Sequence, residues 1–214
     1  MTHLDDRQRR GAQVGPAADR HRDPPEVAGA RAARAIPHRR TAAPPYWIAV
    51  GLVMVSIALA VAIGPVAVAL VALVSFGAVL FWLLDTSPVL AALALLALLG
   101  AAWASLLTLY ETTPWLDLVV HTVVVGLLAA VATQALLRHH VLARPSRWWV
   151  AVGCAVTVGL ALASIWEMLE WIGHTHIDPR IGVGYDDTIS DIATGGAGAL
   201  LAGGVLARRE AITR

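Results

Sequence analysis

Three short sets of residues in this chain are equipped for chemistry. Asp117 and His121 stand four residues apart. Glu167, Glu170 and His174 follow at spacings of three and four. Asp186, Asp187 and Asp191 form the third set, its last two again four apart. On a helix, residues three or four apart share a face, so each set aims its carboxylates and imidazoles in one direction. Groups of this kind, brought together from facing helices of a bundle, bind divalent metals, as in di-iron and di-manganese proteins. Carboxylates that share protons instead serve acid–base catalysis or proton relay.

The candidate metal ligands are Asp117, His121, Glu170, His174, Asp187 and Asp191. An oxygen-rich set with some imidazole suits zinc, manganese or iron better than copper. No HExxH or CxxC motif narrows the choice, and the Glu-x-x-His element usual in di-iron sites is absent. The candidate catalytic residues are Glu167, His121 and Asp191. Other readings are simpler. Asp117, Asp186 and Asp187 fall in first helical turns, where acidic side chains favour the helix dipole. His174 and His176 read as loop residues in solvent. No local capping role explains Glu167, His121 or Asp191.

The elements that position these residues are membrane spans. Hydrophobic residues make up 57% of the 214 residues and charged residues 14%, with a mean hydropathy of +0.67. Soluble domains carry about 25% charged residues, so an ordinary soluble domain is excluded. No nucleic-acid partner is expected; the expected partner is the lipid bilayer. A spanning helix needs about 20 mostly apolar residues. Six segments qualify, at 46–63, 65–84, 88–109, 115–137, 148–172 and 187–207. The fold class is therefore an all-α polytopic membrane protein. Residues 1–44 read as a disordered Arg/Pro-rich tail, 45–110 as a scaffold of three spans, 111–207 as three spans carrying the polar site, and 208–214 as a second tail. The lone cysteine, Cys154, lies mid-span and reads as packing. All sixteen positive residues are Arg, which with the high Ala content suggests a high-GC bacterial genome.

Charge orders the loops. Nine Arg and five acidic residues lie in 1–44, a net charge of +4. With this tail in the cytoplasm, fifteen of the sixteen Arg fall on the cytoplasmic side and only Arg180 on the other, as the positive-inside rule requires. Both termini are then cytoplasmic. Trp47, Trp82, Trp148 and Trp149 fall at the inner interface and Trp115, Trp166 and Trp171 at the outer one, where aromatic belts form. The expected location is the bacterial cytoplasmic (inner) membrane, with the polar sets at its outer face. At 1.5 Å per residue, His121, Glu167 and Asp191 lie about 6–9 Å inside the outer boundary. An ionised side chain at a span's centre costs about 2.5–3.5 kcal/mol, and less near an interface. These residues must therefore face one another, water or an ion. Carboxylates so close repel, so protons or a cation must neutralise them. On the last span, Gly195, Ala199 and Gly203 recur every four residues, a pattern that lets helix backbones approach closely.

Trp115-Leu116-Asp117 with His121 and Gly126, then Trp166-Glu167 with Glu170-Trp171, then Gly184-Tyr185-Asp186-Asp187-Thr188 with Asp191 and Gly198 together resemble the YjdF-like family of uncharacterised bacterial inner-membrane proteins. The pattern, over about residues 105–205, is more distantly similar to VanZ-like membrane proteins. Both families tend to carry Asn four residues after the late Asp, where this chain has Gly195 beside Thr194. The resemblance implies a multi-pass envelope protein and no settled reaction. Three functions fit the residues. The first is a metal-dependent or acid–base hydrolase or transferase acting on an envelope lipid or glycan. The second is a non-catalytic metal- or partner-binding protein. The third is a proton- or metal-coupled transporter, disfavoured because the inner halves of spans 4–6 offer only Thr133 and Gln134.

The topology is testable directly. Reporter fusions after Arg144 and at the C-terminus should read cytoplasmic, and one near Arg180 external. An external signal at Arg144 would overturn the six-span arrangement.

Overall fold

A computed structural model describes residues 43–142 and 147–212. The Arg/Pro-rich tail up to residue 42, Arg144 and Arg214 lie outside the described residues. The described chain is helical throughout: α1 (Pro44–Ile63), α2 (Pro65–Leu83), α3 (Pro88–Leu106), the single turn α4 (Leu109–Thr112), α5 (Trp115–Arg138), α6 (Trp148–His176) and α7 (Tyr185–Ile212). All but α4 are long and apolar enough to cross a membrane. Only 28–39% of each span's apolar window is buried inside the protein. The rest, including Ile48, Met54, Phe76, Leu201 and Val205, is an apolar surface of the kind a bilayer covers.

Prolines open the first three spans, where a missing N–H costs nothing. Between α1 and α2 the chain reverses at Gly64 alone, with φ 144° and ψ −178°, a conformation only glycine adopts readily. The third span is shorter than the apolar run suggests. Thr108 takes a left-handed conformation, φ 54°, which ends α3 as αL residues commonly do. The chain then makes the turn α4, and Tyr110 donates its hydroxyl proton to the Ala101 carbonyl at 3.2 Å. The start of α5 follows Thr113-Pro114. No side chain caps it, and the first turn closes through the Leu116 N–H on the Thr113 carbonyl at 2.9 Å. At the other extreme, α6 runs through His174 and His176, which belong to its last turn rather than to a loop.

Helices α1, α2 and α3 pack on one another, and α3 carries the seam to α5. Their shared core is Ala-, Val- and Leu-rich, with Val53, Val71 and Leu95 fully buried. Two polar pairs meet the demand of a lipid-embedded interior for internal partners, while the buried hydroxyls of Thr86 and Thr133 have none. Tyr46 donates to the Ala78 carbonyl at 2.6 Å, and Trp103 Nε1 to Ser56 Oγ at 3.1 Å. Where the α2–α3 turn meets the C-terminal end of α5, Arg138 pairs with Asp85. There the Ser87 N–H also donates to Gln134 Oε1 at 2.6 Å, and His139 Nε2 meets the Leu84 carbonyl at 3.1 Å. This polar latch fastens the first three spans to α5.

The most extensive packing joins α7 to α5 and to α6. Glycine makes it possible. A Cβ on Gly126 of α5 would lie 2.8 Å from the Gly198 carbonyl oxygen, and one on Gly198 would overlap the Thr122 carbonyl. Toward α6, a Cβ on Gly203 would stand 2.9 Å from Val152 Cα, and one on Gly159 would overlap the Ala199 methyl. Helix α7 thus lies between α5 and α6 with backbones in contact. Gly198→Ala forces backbone apart and should cost about 1–3 kcal/mol, the usual penalty of overpacking. Gly204, on the same helix, has nothing within 4 Å of its would-be Cβ, so Gly204→Ala should be neutral or slightly stabilising. Thermal melting in detergent measures both. Equal melting of Gly198→Ala and wild type would refute the close approach.

Candidate metal centre

Helices α5 and α7 both start, and α6 ends, at the same end of the bundle. The first two turns of α5 supply Asp117 and His121. The second turn of α7 supplies Asp191, and the last turns of α6 supply Glu167, Glu170 and His174. Small residues on α7 let the three helices meet closely enough for short acidic side chains to touch across them.

Asp117, His121 and Asp191 come together. One ligand atom from each lies within 4.8 Å of the other two, and this is the only such group of three or more among the described residues. His121 Nε2 is 3.6 Å from Asp117 Oδ1 and 3.7 Å from Asp191 Oδ2. Both separations exceed the 2.7–3.2 Å of a hydrogen bond. Two ligands bound at 2.0–2.2 Å to one ion sit about 3.0–3.5 Å apart, only a few tenths of an ångström closer than these. The group is well enclosed. Asp191 is 1% exposed and His121 7%, and Asp117 is half-buried on the open side.

Glu167 lies beside this trio and is 9% exposed. Its Oε1 has no hydrogen-bond partner, and neither does Asp191 Oδ1. Buried carboxylate oxygens without protein partners are costly, and both of these lie at the end of the bundle where the trio gathers. Glu170, one turn further out, is half-buried within electrostatic reach of Glu167, Asp117 and Asp191, on the face of α6 that also carries Trp166.

The remaining candidates stand further off. His174 Nδ1 is engaged by the Ile181 carbonyl at 2.6 Å, which ties the end of α6 to the following loop. Asp187 is exposed on the first turn of α7, close enough to act electrostatically on Asp117 and Asp191. In the α6–α7 loop Arg180 clamps Asp178, with Nη2 to Oδ2 at 2.7 Å. Those hydrogen bonds hold the Asp178 carboxyl down at about 2. The one Arg at this end among the described residues is therefore engaged away from the buried carboxylates, and the mouth of the site is acidic.

Sequence reasoning missed Tyr110 and Trp166. Tyr110 sits on α4, and burial, with the carboxylates of Asp117 and Glu170 nearby, pushes its phenol up to about 12. Its one hydroxyl proton goes to the Ala101 carbonyl. Only the left-handed break at Thr108 places the residue there, and nothing in the apolar run announces that break. Trp166 looked like part of an interfacial belt. Its position four residues before Glu170 was the available signal, since that spacing puts indole and carboxylate on one face.

The arrangement can hold a divalent cation on two carboxylates and an imidazole, with coordination positions left open toward the mouth. It can also hold a protonated His121 between two carboxylates.

No curated protein and no solved structure matches the chain. Residues 45–211 match the family described as "Predicted membrane protein (DUF2238)", which is the YjdF-like group. That match covers all six spans and every residue of the site, and the chain belongs to this family of predicted membrane proteins.

Proposed function

We propose that this protein is a metal-dependent hydrolase or transferase of the bacterial cytoplasmic membrane. Its site faces the outer leaflet, both termini are cytoplasmic, and its substrate is an envelope lipid or glycan. The observation that carries the reading is the spacing of His121 Nε2 from Asp117 and Asp191, too wide for hydrogen bonds and close to that of ligands sharing one ion. Three protein ligands with open positions are the pattern of catalytic rather than structural metal sites. Zinc, manganese or iron bound there supplies Lewis-acid activation of water or polarisation of a substrate oxygen. Glu167, buried and adjacent, is the group placed to hold or pass a proton. The charge sorting of the loops supports the outward orientation. A site close to the ends of three spans suits a substrate whose reactive group lies at headgroup depth.

Two experiments test this reading. Detergent-purified protein should carry stoichiometric metal, and Asp117→Ala, His121→Ala and Asp191→Ala should each lose it. A ligand that binds only the native state stabilises it by about 2.7 kcal/mol at a hundredfold excess over Kd. Chelator should therefore lower the wild-type melting temperature and leave these variants unmoved. Wild type without metal and indifferent to chelator would sink the metal reading in favour of a shared-proton cluster.

The second experiment separates a working site from polar glue. Glu167→Gln keeps the shape of the side chain and removes a buried charge, so expression and melting should be equal to wild type or better. The same protein should fail to rescue the phenotype of a gene deletion. Full complementation by Glu167→Gln would defeat the catalytic assignment and leave a non-catalytic binding protein.

A further inference from the structure

The seam between α6 and α7 keeps one register along its length. A Cβ on Gly203 would meet the Ala155 methyl, one on Gly159 the Ala199 methyl, and one on Gly195 the Ala163 methyl. The two helices are antiparallel, α6 ending and α7 starting at the site end. Each four-residue step along α6 is therefore matched by four residues back along α7. The next step sets Glu167 opposite Asp191, the two buried carboxylates that each have an oxygen with no hydrogen-bond partner. One step further out, Asp187 comes to the level of Glu170 and Trp171.

Each of the three site helices thus carries an acidic residue one turn outward from a buried site residue, on the same face. Asp117 precedes His121, Asp187 precedes Asp191, and Glu170 follows Glu167. Asp117 and Glu170 are half-buried and Asp187 is exposed. This rim of three carboxylates lies over the buried tier, toward the ends of the spans. No cationic side chain among the described residues serves it. The chain has no Lys, and Arg180 is bound to Asp178 through three side-chain hydrogen bonds. His174 is engaged by the Ile181 carbonyl, and His176 lies edge-on to the Trp171 ring. Protonation of a buried carboxyl lowers the charge of the site and still supplies no cation. An anionic headgroup gains no guanidinium or ammonium here, whereas ammonium N–H donors match carboxylate oxygens and bond them more strongly than neutral donors do.

We infer that the rim recognises a primary ammonium, and that the substrate is an outer-leaflet phospholipid whose headgroup ends in one, held by Glu170 and Asp187. Depth favours a lipid. Asp117 and Asp187 are each the third residue of their helices, so the rim lies about 3 Å inside the helix starts, at headgroup level. The need for N–H donors separates a primary ammonium from a quaternary one, which carries the same charge and donates no hydrogen bond. This inference rests on the outward-facing site proposed above and names its substrate class.

Lipid selectivity tests it on the full chain in detergent. Phosphatidylethanolamine, phosphatidylcholine and phosphatidylglycerol with identical acyl chains are offered at equal concentration, and native mass spectrometry counts the lipid bound per chain. Metal content and melting are measured on the same samples. Wild type should hold phosphatidylethanolamine about tenfold more tightly than either other lipid, the worth of roughly one hydrogen bond to a charged group. Glu170→Gln and Asp187→Asn should each remove that preference and leave melting and metal content unchanged. Asp187 is exposed, so its variant carries the test even where Glu170→Gln folds poorly. Equal binding of the three lipids, or a preference for phosphatidylglycerol, overturns the inference. A preference that survives both substitutions does so too, as does loss of metal together with the preference, which would make these residues ligands. The metal reading is scored separately. A preference removed by both substitutions in a protein that holds no metal upholds the ammonium site and sinks the metal, and bound metal without lipid preference does the reverse.

Discussion

The close approach of α7 to α5 at Gly198 and Gly126 is the contact on which the site depends. The two helices run in the same direction, each starting at the site end. Gly198 touches the Thr122 carbonyl and Gly126 faces Gly198. Asp191 is seven residues, or two turns, before Gly198. Two turns back on α5 from Thr122 and Gly126 is the stretch from Trp115 to Val119. Side chains on a helix lean toward its N-terminus, so His121 reaches up to the level that Asp117 and Asp191 occupy. Shifting the glycine contact by one residue would rotate Asp191 by about 100° around α7 and break the trio. The backbone contact is thus a register device as well as a packing contact.

The bilayer explains the rest of the arrangement. Polar groups at membrane depth must find partners inside the protein. The first three spans do so sparingly, through Tyr46 to Ala78 and Trp103 to Ser56. At the end opposite the site, the latch of Asp85, Arg138, Ser87, Gln134 and His139 anchors α5 against the scaffold. Helix α5 is therefore held at one end by polar contacts and at the other by the packing that builds the site. Four buried oxygens among the described residues have no protein partner: Thr86 Oγ1 and Thr133 Oγ1 near the latch, and Asp191 Oδ1 and Glu167 Oε1 at the site, where the carboxylates are the costlier to bury. Structure alone does not require such groups.

Much of this was legible in the sequence, for reasons that can be named. The spans announced themselves because lipid leaves little choice of composition, and all six helices fall within a few residues of the apolar runs. Asp117 and His121 could be paired because helical spacing sets their common face. Asp191 could be assigned to a protein-facing side because the Gly195, Ala199 and Gly203 stripe marks where α7 meets its neighbours. Distance across helices could not be read. Which of six candidate ligands meet depends on helix register, and register is set by contacts such as Gly198 to Thr122 that belong to pairs of segments far apart in sequence. His174 illustrates the limit. Spacing put it on the Glu170 face, yet its imidazole is engaged by Ile181, a partner supplied by the loop. The break at Thr108, and with it the placement of Tyr110, was hidden for a similar reason: a non-glycine left-handed residue leaves no mark in an apolar run.

The three site helices are not equivalent, and the difference bears on how such a site works. Asp117, His121 and Asp191 sit on α5 and α7, whose backbones touch, so the trio is rigid. Glu167 and Glu170 sit on α6, which packs chiefly on α7 through Gly159 and Ala199 and through Gly203 and Val152, and less on α5. Their longer side chains approach from the side that carries the loop with Asp178, Arg180 and Ile181. The trio is thus the set closed by glycine contacts, and the two glutamates project from the helix whose end is joined to a polar loop. That division follows from the placement of small residues along α7. It makes the α5–α7 contact decide whether Asp117, His121 and Asp191 meet at all, and leaves α6 to set how Glu167 and Glu170 approach them.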